Sequence, residues 1–431
     1  MSMRLSATSN PFTLGVLLPQ AAIWSADNVP GSFDSTTSTW VPGKGADGRV
    51  TAASWAQVPV GRWVKVAGTR MDALDAVVKA RLPGWRDRGV GGWDGIVGAW
   101  SGMAVDPMSP RAWFFGGGHH DSANNGLYRF DFNRMSWDIE ILPTDPARFD
   151  PRYTTSGTGS FTIYPPADDY ARANPADYSV AYDCFWPFEP NTPTARHTYG
   201  SLVYNPVRNE LMMWCRRTWV ADLATGSWRV YNPHAQHGAN ATSGENMFCF
   251  YDAARQRLVL NCTQYGNQGR NMEFDPVSKN FYVSQVALPS GDHAWTFASC
   301  YYGSRVYAFA RPDILRTGKV LVYDLPSNTR TEVAINGPAA ADTYQNYYDG
   351  GASAYVPEVG KLLVATYSDS AKALRLYWCD PLTGDVQHAN IPGPWDDSQI
   401  LPETKMQYIP HLRAVVHMSR ASQEWRVLRM A

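Results

Sequence analysis

Side chains suited to acid–base, ion-pairing or metal chemistry stand at the ends of short apolar runs along much of this sequence. Histidine, arginine, aspartate, glutamate and tyrosine exchange protons, bind anions or ligate metals. They could share one concave site if the runs between them are strands of one closed ring. The candidate binding residues are His119, His120, Asp121, Arg196, His197, Arg217, Glu245, Asp292, His293, Arg311, Tyr348, Asp349 and Arg420.

The densest of these groups, His119-His120-Asp121, does not have the pattern of a metal site. Adjacent side chains of an extended segment point apart, so the two histidines are not expected to ligate the same ion. The six cysteines include no Cys-x-x-Cys pair, so we predict buried free thiols, with a disulfide between Cys215 and Cys262 left open. We therefore predict no metal and no cofactor, and we expect His119 and His120 to contact a partner.

Composition argues against partners held by bulk charge. The chain has 38 basic and 39 acidic residues, so a nucleic-acid or anionic-membrane binder is not expected. It has no run of 18 apolar residues, so no membrane span is expected. The apolar segment 14–18 is short and lies between Pro11 and Pro19, so no signal peptide is evident. If the protein belongs to a phage, we expect to find it in the virion. Otherwise we expect it in the cytoplasm.

The elements that position the candidates are short strands. Between Trp100 and Leu142, four apolar or alternating runs are separated by turn residues, which predicts four antiparallel strands. An aspartate ends each third run, and from residue 222 onward these aspartates recur about every 50 residues. The marker positions are Asp131, Asp222, Asp275, Asp324 and Asp380.

The first of these units resembles a kelch repeat, one blade of a β-propeller. The residues that carry the resemblance are Gly116-Gly117-Gly118 and Tyr128-x-Phe130-Asp131, followed by Trp137. The resemblance covers residues 98–429 and implies an all-β, six-bladed kelch-like propeller. The insertion 143–194, expected on the rim, leaves seven blades as the alternative.

The two ends of the chain are predicted to complete the ring together. After Met406 only three strands remain for the last blade, whereas the run Trp63–Val66 has no partner near it. An open ring would expose a sheet edge, so we predict that this N-terminal strand closes the last blade. Next, apolar spacing predicts a helix over 71–82, capped by Thr69.

Propeller topology brings the candidate residues to one end of the ring. Connections between strands two and three share that end, the funnel face, with connections between blades. A set of five could imitate a sialidase site, namely Arg217, Arg311, Arg420, Glu245 and Tyr348, but the sialidase repeat Ser-x-Asp-x-Gly-x-x-Trp is absent. The local motifs of galactose-oxidase-like copper enzymes are not matched either. We therefore predict no catalytic residues and a non-enzymatic binding or structural module, with a carbohydrate-active hydrolase or lyase, or a copper enzyme, as alternatives.

Residues 1–60 are rich in Ser, Thr, Gly, Ala and Pro and are predicted to form an extended arm, with residues 61–431 as the propeller. The best context is a bacteriophage tail-tip, baseplate or fibre protein. Its arm would contact other virion or assembly proteins, and its funnel face a host-surface glycan or protein. The alternative to a phage protein is a bacterial kelch-type interaction module. The alternative for the arm is that it simply lies along its own propeller. On the first interpretation a chain lacking residues 1–60 stays folded.

Overall fold

A computed structural model gives the structure of the chain. The residues that it describes are 24–85, 91–98, 101–106, 109–117, 122, 124–145, 192–193, 195, 198, 200–215, 217–231, 245–263, 272–283, 298–310, 318–343, 351–368, 371, 373–395 and 405–431. None of the helices among them is long and apolar enough to cross a membrane.

The segment before the first blade contains short strands and helices. In chain order these are β1 (Ser32–Asp34), β2 (Thr39–Val41), α1 (Ala52–Trp55), β3 (Trp63–Val66), a 3-10 turn (Met71–Leu74), α2 (Asp75–Arg81) and α3 (Gly92–Gly98).

In the described part of the chain, six sheets form a six-bladed β-propeller, as the repeats predict; they are antiparallel except for one strand pair in blade six. Their first strands contact one another around the axis. Blade one is β4 (Met103–Val105), β5 (Arg111–Phe114), β6 (Leu127–Asp131) and β7 (Ser136–Ile141); blade two is β8 (Leu202–Asn205), β9 (Glu210–Cys215), β10 (Arg217–Asp222) and β11 (Ser227–Tyr231); blade three is β12 (Glu245–Asp252), β13 (Arg257–Thr263), β14 (Met272–Asp275) and β15 (Asn280–Val283).

The second half of the ring repeats this arrangement. Blade four is β16 (Ala298–Tyr302), β17 (Arg305–Ala310), β18 (Lys319–Asp324) and β19 (Thr329–Ala334); a 3-10 turn (Ala340–Thr343) precedes blade five, which is β20 (Ala352–Val356), β21 (Lys361–Ser368), β22 (Ala373–Cys379) and β23 (Val386–His388); blade six begins with β24 (Met406–Ile409), β25 (Ala414–His417) and β26 (Arg426–Arg429).

The N-terminal strand closes the ring, which confirms that prediction. Strand β3 pairs antiparallel with β26, with Val64 opposite Val427 and Trp63 opposite Leu428. Both β3 residues are fully buried. Strand β2 then adds parallel to β3, and β1 adds antiparallel to β2, so blade six is a six-stranded sheet.

Each marker aspartate begins the turn that follows its third strand. The carboxylate of Asp131 accepts the N–H of Asn133 at 2.8 Å, and that of Asp380 accepts the N–H of Leu382 at 2.8 Å. The carboxylates of Asp222, Asp275 and Asp324 accept main-chain N–H groups in the same way. A residue with positive φ, such as Met135, ends the loop. This turn chemistry returns the chain antiparallel, so the repeated aspartate marks a fold requirement.

Replacing Asp275 with asparagine is expected to lower stability at neutral pH but not near pH 2. Burial alone would raise the pKa of Asp275, but hydrogen bonds from Arg257 and from the Val277 main chain outweigh it and lower that pKa from 3.8 to about 2. The carboxylate therefore contributes stability above pH 3.8, and this contribution is lost as the pH falls through about 2. Urea unfolding of the parent protein and of Asp275→Asn at about pH 6 and about pH 2 measures this contribution. An equal difference at both pH values would contradict the assignment.

Buried side chains of the described residues fall into six clusters, one in each seam between neighbouring blades. The seam between blades one and two, for example, contains Trp113, Phe115 and Trp219. The seam between blades six and one is filled partly from the N-terminal segment. Stability therefore depends on blade-to-blade packing, and the N-terminal segment belongs to that packing.

The described part of the N-terminal arm is packed against the propeller. Trp55 stacks on Trp24 at a ring distance of 5.4 Å and meets the edge of Trp40 at 5.6 Å, and all three are buried. The N–H of Val50 donates to the carbonyl of Asn133 in blade one at 2.7 Å. Removing residues 1–60 would remove this cluster and uncover the core surface against which it packs, so we expect such a chain to be destabilised.

The predicted helix after β3 is present, but its predicted cap is wrong. The 3-10 turn and α2 together cover residues 71–81. Thr69 does not cap them. Its hydroxyl donates to the carbonyl of Val66 at 2.6 Å and accepts the N–H of Trp425 at 3.0 Å. The side chain therefore joins β3 to the last blade, a contact that no local pattern predicts.

Three of the six cysteines are described with their side chains, and the prediction of buried free thiols is confirmed for Cys249, Cys300 and Cys379. Burial raises the pKa of Cys300 and of Cys379 to about 12, so neither is a reactive thiolate. The proposed pair Cys215 and Cys262 lies outside the described side chains.

Candidate functional site

The two ends of the ring differ in the length of their connections. On one face the strands are joined by short turns, such as residues 206–209, 253–256 and 357–360. At the funnel face, consecutive described strands are separated in sequence by longer stretches, namely 60 residues between β7 and β8, 14 between β15 and β16 and 17 between β23 and β24. Long connections on a rigid ring are where propellers can vary their chemistry without disturbing the blades. The funnel face is therefore the candidate functional face.

Most of the predicted candidate residues fall outside the described part of the chain. Arg217 and Glu245 are described by their main chain alone, as the first residues of β10 and β12, and both strands begin at the funnel face. Arg420 is described fully and is exposed in the loop between β25 and β26, also at that face. The structure brings these three positions to one end of the ring. The residues outside the description are His119, His120, Asp121, Arg196, His197, Asp292, His293, Arg311, Tyr348 and Asp349.

The funnel end of blade six gathers basic side chains. Lys405 is fully buried and its ammonium group donates to the carbonyl of Val97 at 2.9 Å. Arg426 is also buried and donates to the hydroxyl of Ser419 at 2.9 Å. We call Lys405, His417, Arg420 and Arg426 the blade-six basic cluster. Four basic side chains thus lie at the funnel end of blade six.

His417 lies next to Arg426 in the strand register. It lies opposite Met406 on one side and opposite Arg426 on the other. Its ring contacts that of Trp395 at 4.6 Å. Sequence reasoning selected Arg420 but not His417 or Arg426. The available signal was a basic residue at the funnel end of two short strands with apolar centres, Ala414–His417 and Arg426–Arg429.

The funnel end of blade one is held by neutral hydrogen bonds. The Thr198 hydroxyl donates to the carbonyl of Phe115 at 3.1 Å and accepts the N–H of Gly102 at 3.2 Å. Gly116 lies where a Cβ atom would stand 2.1 Å from the carbonyl oxygen of Ile96, and Gly117 has a φ of +95°. The glycines thus serve a tight exit from β5, as expected from the sequence.

Tyrosines of the first strands pack against neighbouring blades around the ring. They hold equivalent positions in the first strands of five blades: Tyr204, Tyr251, Tyr301, Tyr355 and Tyr408. Tyr204 stacks on Trp113 of the preceding blade with ring centroids 4.6 Å apart, and Tyr355 on Tyr307 at 4.7 Å. The cavity among the first strands measures about 100 Å³. This cavity has room for a few water molecules only.

Metal and hydrolase chemistry find limited support in the described residues. These contain no group of three or more His, Cys, Asp and Glu side chains placed to hold a metal ion. Of the set that could imitate a sialidase, only Arg420 has a described side chain, so that alternative stays a prediction.

Comparison with known proteins gives matches of low identity to solved structures. No protein-family model matches the chain, and a search of curated proteins gives no match. The crystal structure of TolB from Acinetobacter baumannii matches with a TM-score of 0.37 at 8% identity, covering 66% of this chain and 55% of that one. A GH74 xyloglucanase from Xanthomonas campestris matches with a TM-score of 0.42 at 11% identity, covering 79% of this chain and 46% of that one. The chain spans about half the length of these structures, and neither activity transfers to it.

Proposed function

We propose that this protein is a non-enzymatic binding module whose funnel face receives an acidic surface glycan. The observation that carries the proposal is the contrast between the two faces: long connections stand at the funnel face, and turns of mostly four residues at the other. A rigid ring that presents varied loops on one side suits recognition. The cavity of about 100 Å³ among the first strands is too small for a sugar chain, which agrees with binding at the face.

The blade-six basic cluster supports an acidic ligand. Arg420 is exposed at the funnel face, and the buried Lys405 and Arg426 raise the potential there. Guanidinium groups pair well with carboxylates, because their planar N–H groups match the two oxygens. A polyuronate would place one carboxylate after another within reach of such a face.

Replacing Arg420 with glutamine is expected to weaken binding of a polyuronate about fivefold. Alginate serves as the acidic probe and dextran as the neutral one, and calorimetric titration measures affinity. Arg330→Gln is the matched control, because it removes an exposed guanidinium that pairs with Glu332 on the outer strand of blade four. Equal alginate affinity in all three proteins would contradict the proposal. So would release of new reducing ends from alginate, which would instead support the carbohydrate-active enzyme.

The biological setting that we propose is a phage tail, in which the N-terminal arm joins the protein to other virion components. The kelch-like repeat pattern and the Ser-, Thr- and Gly-rich arm support this setting. A chain beginning at residue 24 keeps every contact described above, so its failure to enter tail particles would be specific to the arm. Normal incorporation would favour the bacterial interaction module.

A further inference from the structure

A groove lies on the face opposite the funnel, between the N-terminal arm and blade six. Its volume is about 650 Å³, within the range of pockets that take small organic ligands. One wall comes from α1 and the residues before β1, and the other from the β24–β25 turn and the end of β26. We call it the arm groove. Its principal lining residues are Trp24, Trp55, His411, Leu412, Arg413 and Arg429.

Arg429 supplies a partly buried positive charge at one end of the arm groove. Its guanidinium donates to the main-chain oxygens of Trp55 at 3.0 Å, Val58 at 3.1 Å and Ala431 at 2.7 Å. Its Nη2 atom makes no hydrogen bond within the described residues. Burial lowers the pKa of Arg429, and the nearby charge of Arg413 lowers it further. Bringing an anion to this end would relieve the repulsion between the two cations.

Arg413 presents further donors to the same space. Its Nε donates to the Glu358 carboxylate at 3.0 Å, and its side chain is 48% exposed. In the described part of the chain its two Nη atoms have no hydrogen-bond partner. Beside it, burial lowers the pKa of His411, so that ring is neutral near pH 7. The described donors of two guanidinium groups thus converge on one cavity.

The remaining walls of the arm groove are apolar. The rings of Trp24 and Trp55 stack at 5.4 Å with an interplanar angle of 26°. Leu412, Ala52 and Ala56 continue this surface. Flat ring systems pack well against indole and small aliphatic side chains. The groove therefore combines an apolar wall with a cationic end, which is the arrangement that selects amphiphilic anions.

We propose that the arm groove is a second binding site, which takes an organic carboxylate carrying a flat apolar ring. The carboxylate pairs with the free Nη atoms of Arg413 and Arg429, and the ring lies against Trp24, Trp55 and Leu412. The site is on the other side of the ring from the funnel, so it operates independently of the function proposed above. Glu358 competes with the ligand, because it already holds the Nε of Arg413.

The experiment titrates the full chain with 2-naphthoate and with its neutral analogue 2-naphthamide, using tryptophan fluorescence and calorimetry. We expect saturable binding of 2-naphthoate and about tenfold weaker binding of the amide. Arg413→Gln is expected to weaken naphthoate binding about fivefold. Arg305→Gln is the matched control, because Arg305 pairs with Asp324 in blade four, on the same face of the ring as the arm groove. This variant should leave naphthoate binding unchanged.

A second variant separates a lost ligand contact from a damaged fold. Glu358→Gln releases Arg413 from its carboxylate, so we expect it to bind 2-naphthoate more tightly than the parent protein, about threefold. A merely destabilised blade would bind less. The proposal is overturned by absence of saturable binding at millimolar 2-naphthoate, by equal affinity for acid and amide, or by equal affinity of the parent and Arg413→Gln.

Discussion

A chain that begins at residue 70 is expected to lose the folded ring altogether. It lacks β3, the strand that pairs with β26 and buries Trp63, Val64 and Val66 completely. Burying each such side chain stabilises the native state by about 1.5 to 3 kcal/mol, so the loss for these three is about 6 kcal/mol. That is comparable to the whole free energy of unfolding of an ordinary domain, about 5–15 kcal/mol. Circular dichroism on heating should show no cooperative transition, and size-exclusion chromatography should show aggregates formed through the exposed edge of β26.

Two shorter truncations are the controls. A chain beginning at residue 24 keeps all described contacts and should melt like the full chain. A chain beginning at residue 61 keeps β3 but loses Trp24, Trp40 and Trp55, so it should fold with a clearly lower melting temperature. A soluble, monomeric protein beginning at residue 70 that melts cooperatively would show that the ring does not need its N-terminal strand.

The features that sequence reasoning predicted well are those with local causes. The aspartate after each third strand is detectable because its carboxylate binds N–H groups only two or three residues ahead. Gly116 and Gly117 are detectable because a side chain would not fit there. Ring closure followed from counting strands, since a three-stranded last blade and a spare N-terminal strand complete each other.

Contacts between distant parts of the chain were beyond this kind of reasoning. Strand β2 pairs parallel with β3, with Thr39 opposite Lys65, and neither three-residue strand β1 nor β2 has a recognisable pattern. Thr69 has the position and chemistry of a helix cap, but the N–H of Trp425, 356 positions away, takes its hydroxyl oxygen. Partners that are distant in sequence decide which strand pairs and which group a hydroxyl bonds. Local sequence preferences carry no information about those partners.

The candidate sites show the same division. Arg420 was selected because it follows a strand at the funnel face, whereas His417 and Arg426 were passed over as strand residues. The arm groove joins Trp24 and Trp55 to Arg413 and Arg429, residues from opposite ends of the sequence that only ring closure brings together. The composition also does not reveal the positive charge of the groove, because basic and acidic residues balance over the whole chain.

Replacing Trp425 with alanine is expected to destabilise the protein by about 3–5 kcal/mol, the usual cost of emptying a large buried aromatic site. Trp425 is fully buried in the seam between blades six and one. Its ring lies 5.0 Å from both Phe130 and Phe132 and 5.9 Å from Phe114. Its main-chain bonds to Thr69 and Val66 do not depend on the side chain and should persist. Urea unfolding followed by circular dichroism measures the change.

Two variants show whether the position of Trp425, rather than the loss of any indole, causes the effect. Trp425→Phe keeps a ring in the seam and should cost less than half as much. Trp228→Ala removes a partly buried indole from the outer strand of blade two, where the ring contacts Phe115 at 5.2 Å, and should also cost less. Equal losses for Trp425→Ala and Trp228→Ala would mean that the closing seam carries no special share of stability. We expect the larger loss at Trp425, because this seam holds together residues from the two ends of the described chain against the entropy of opening the ring.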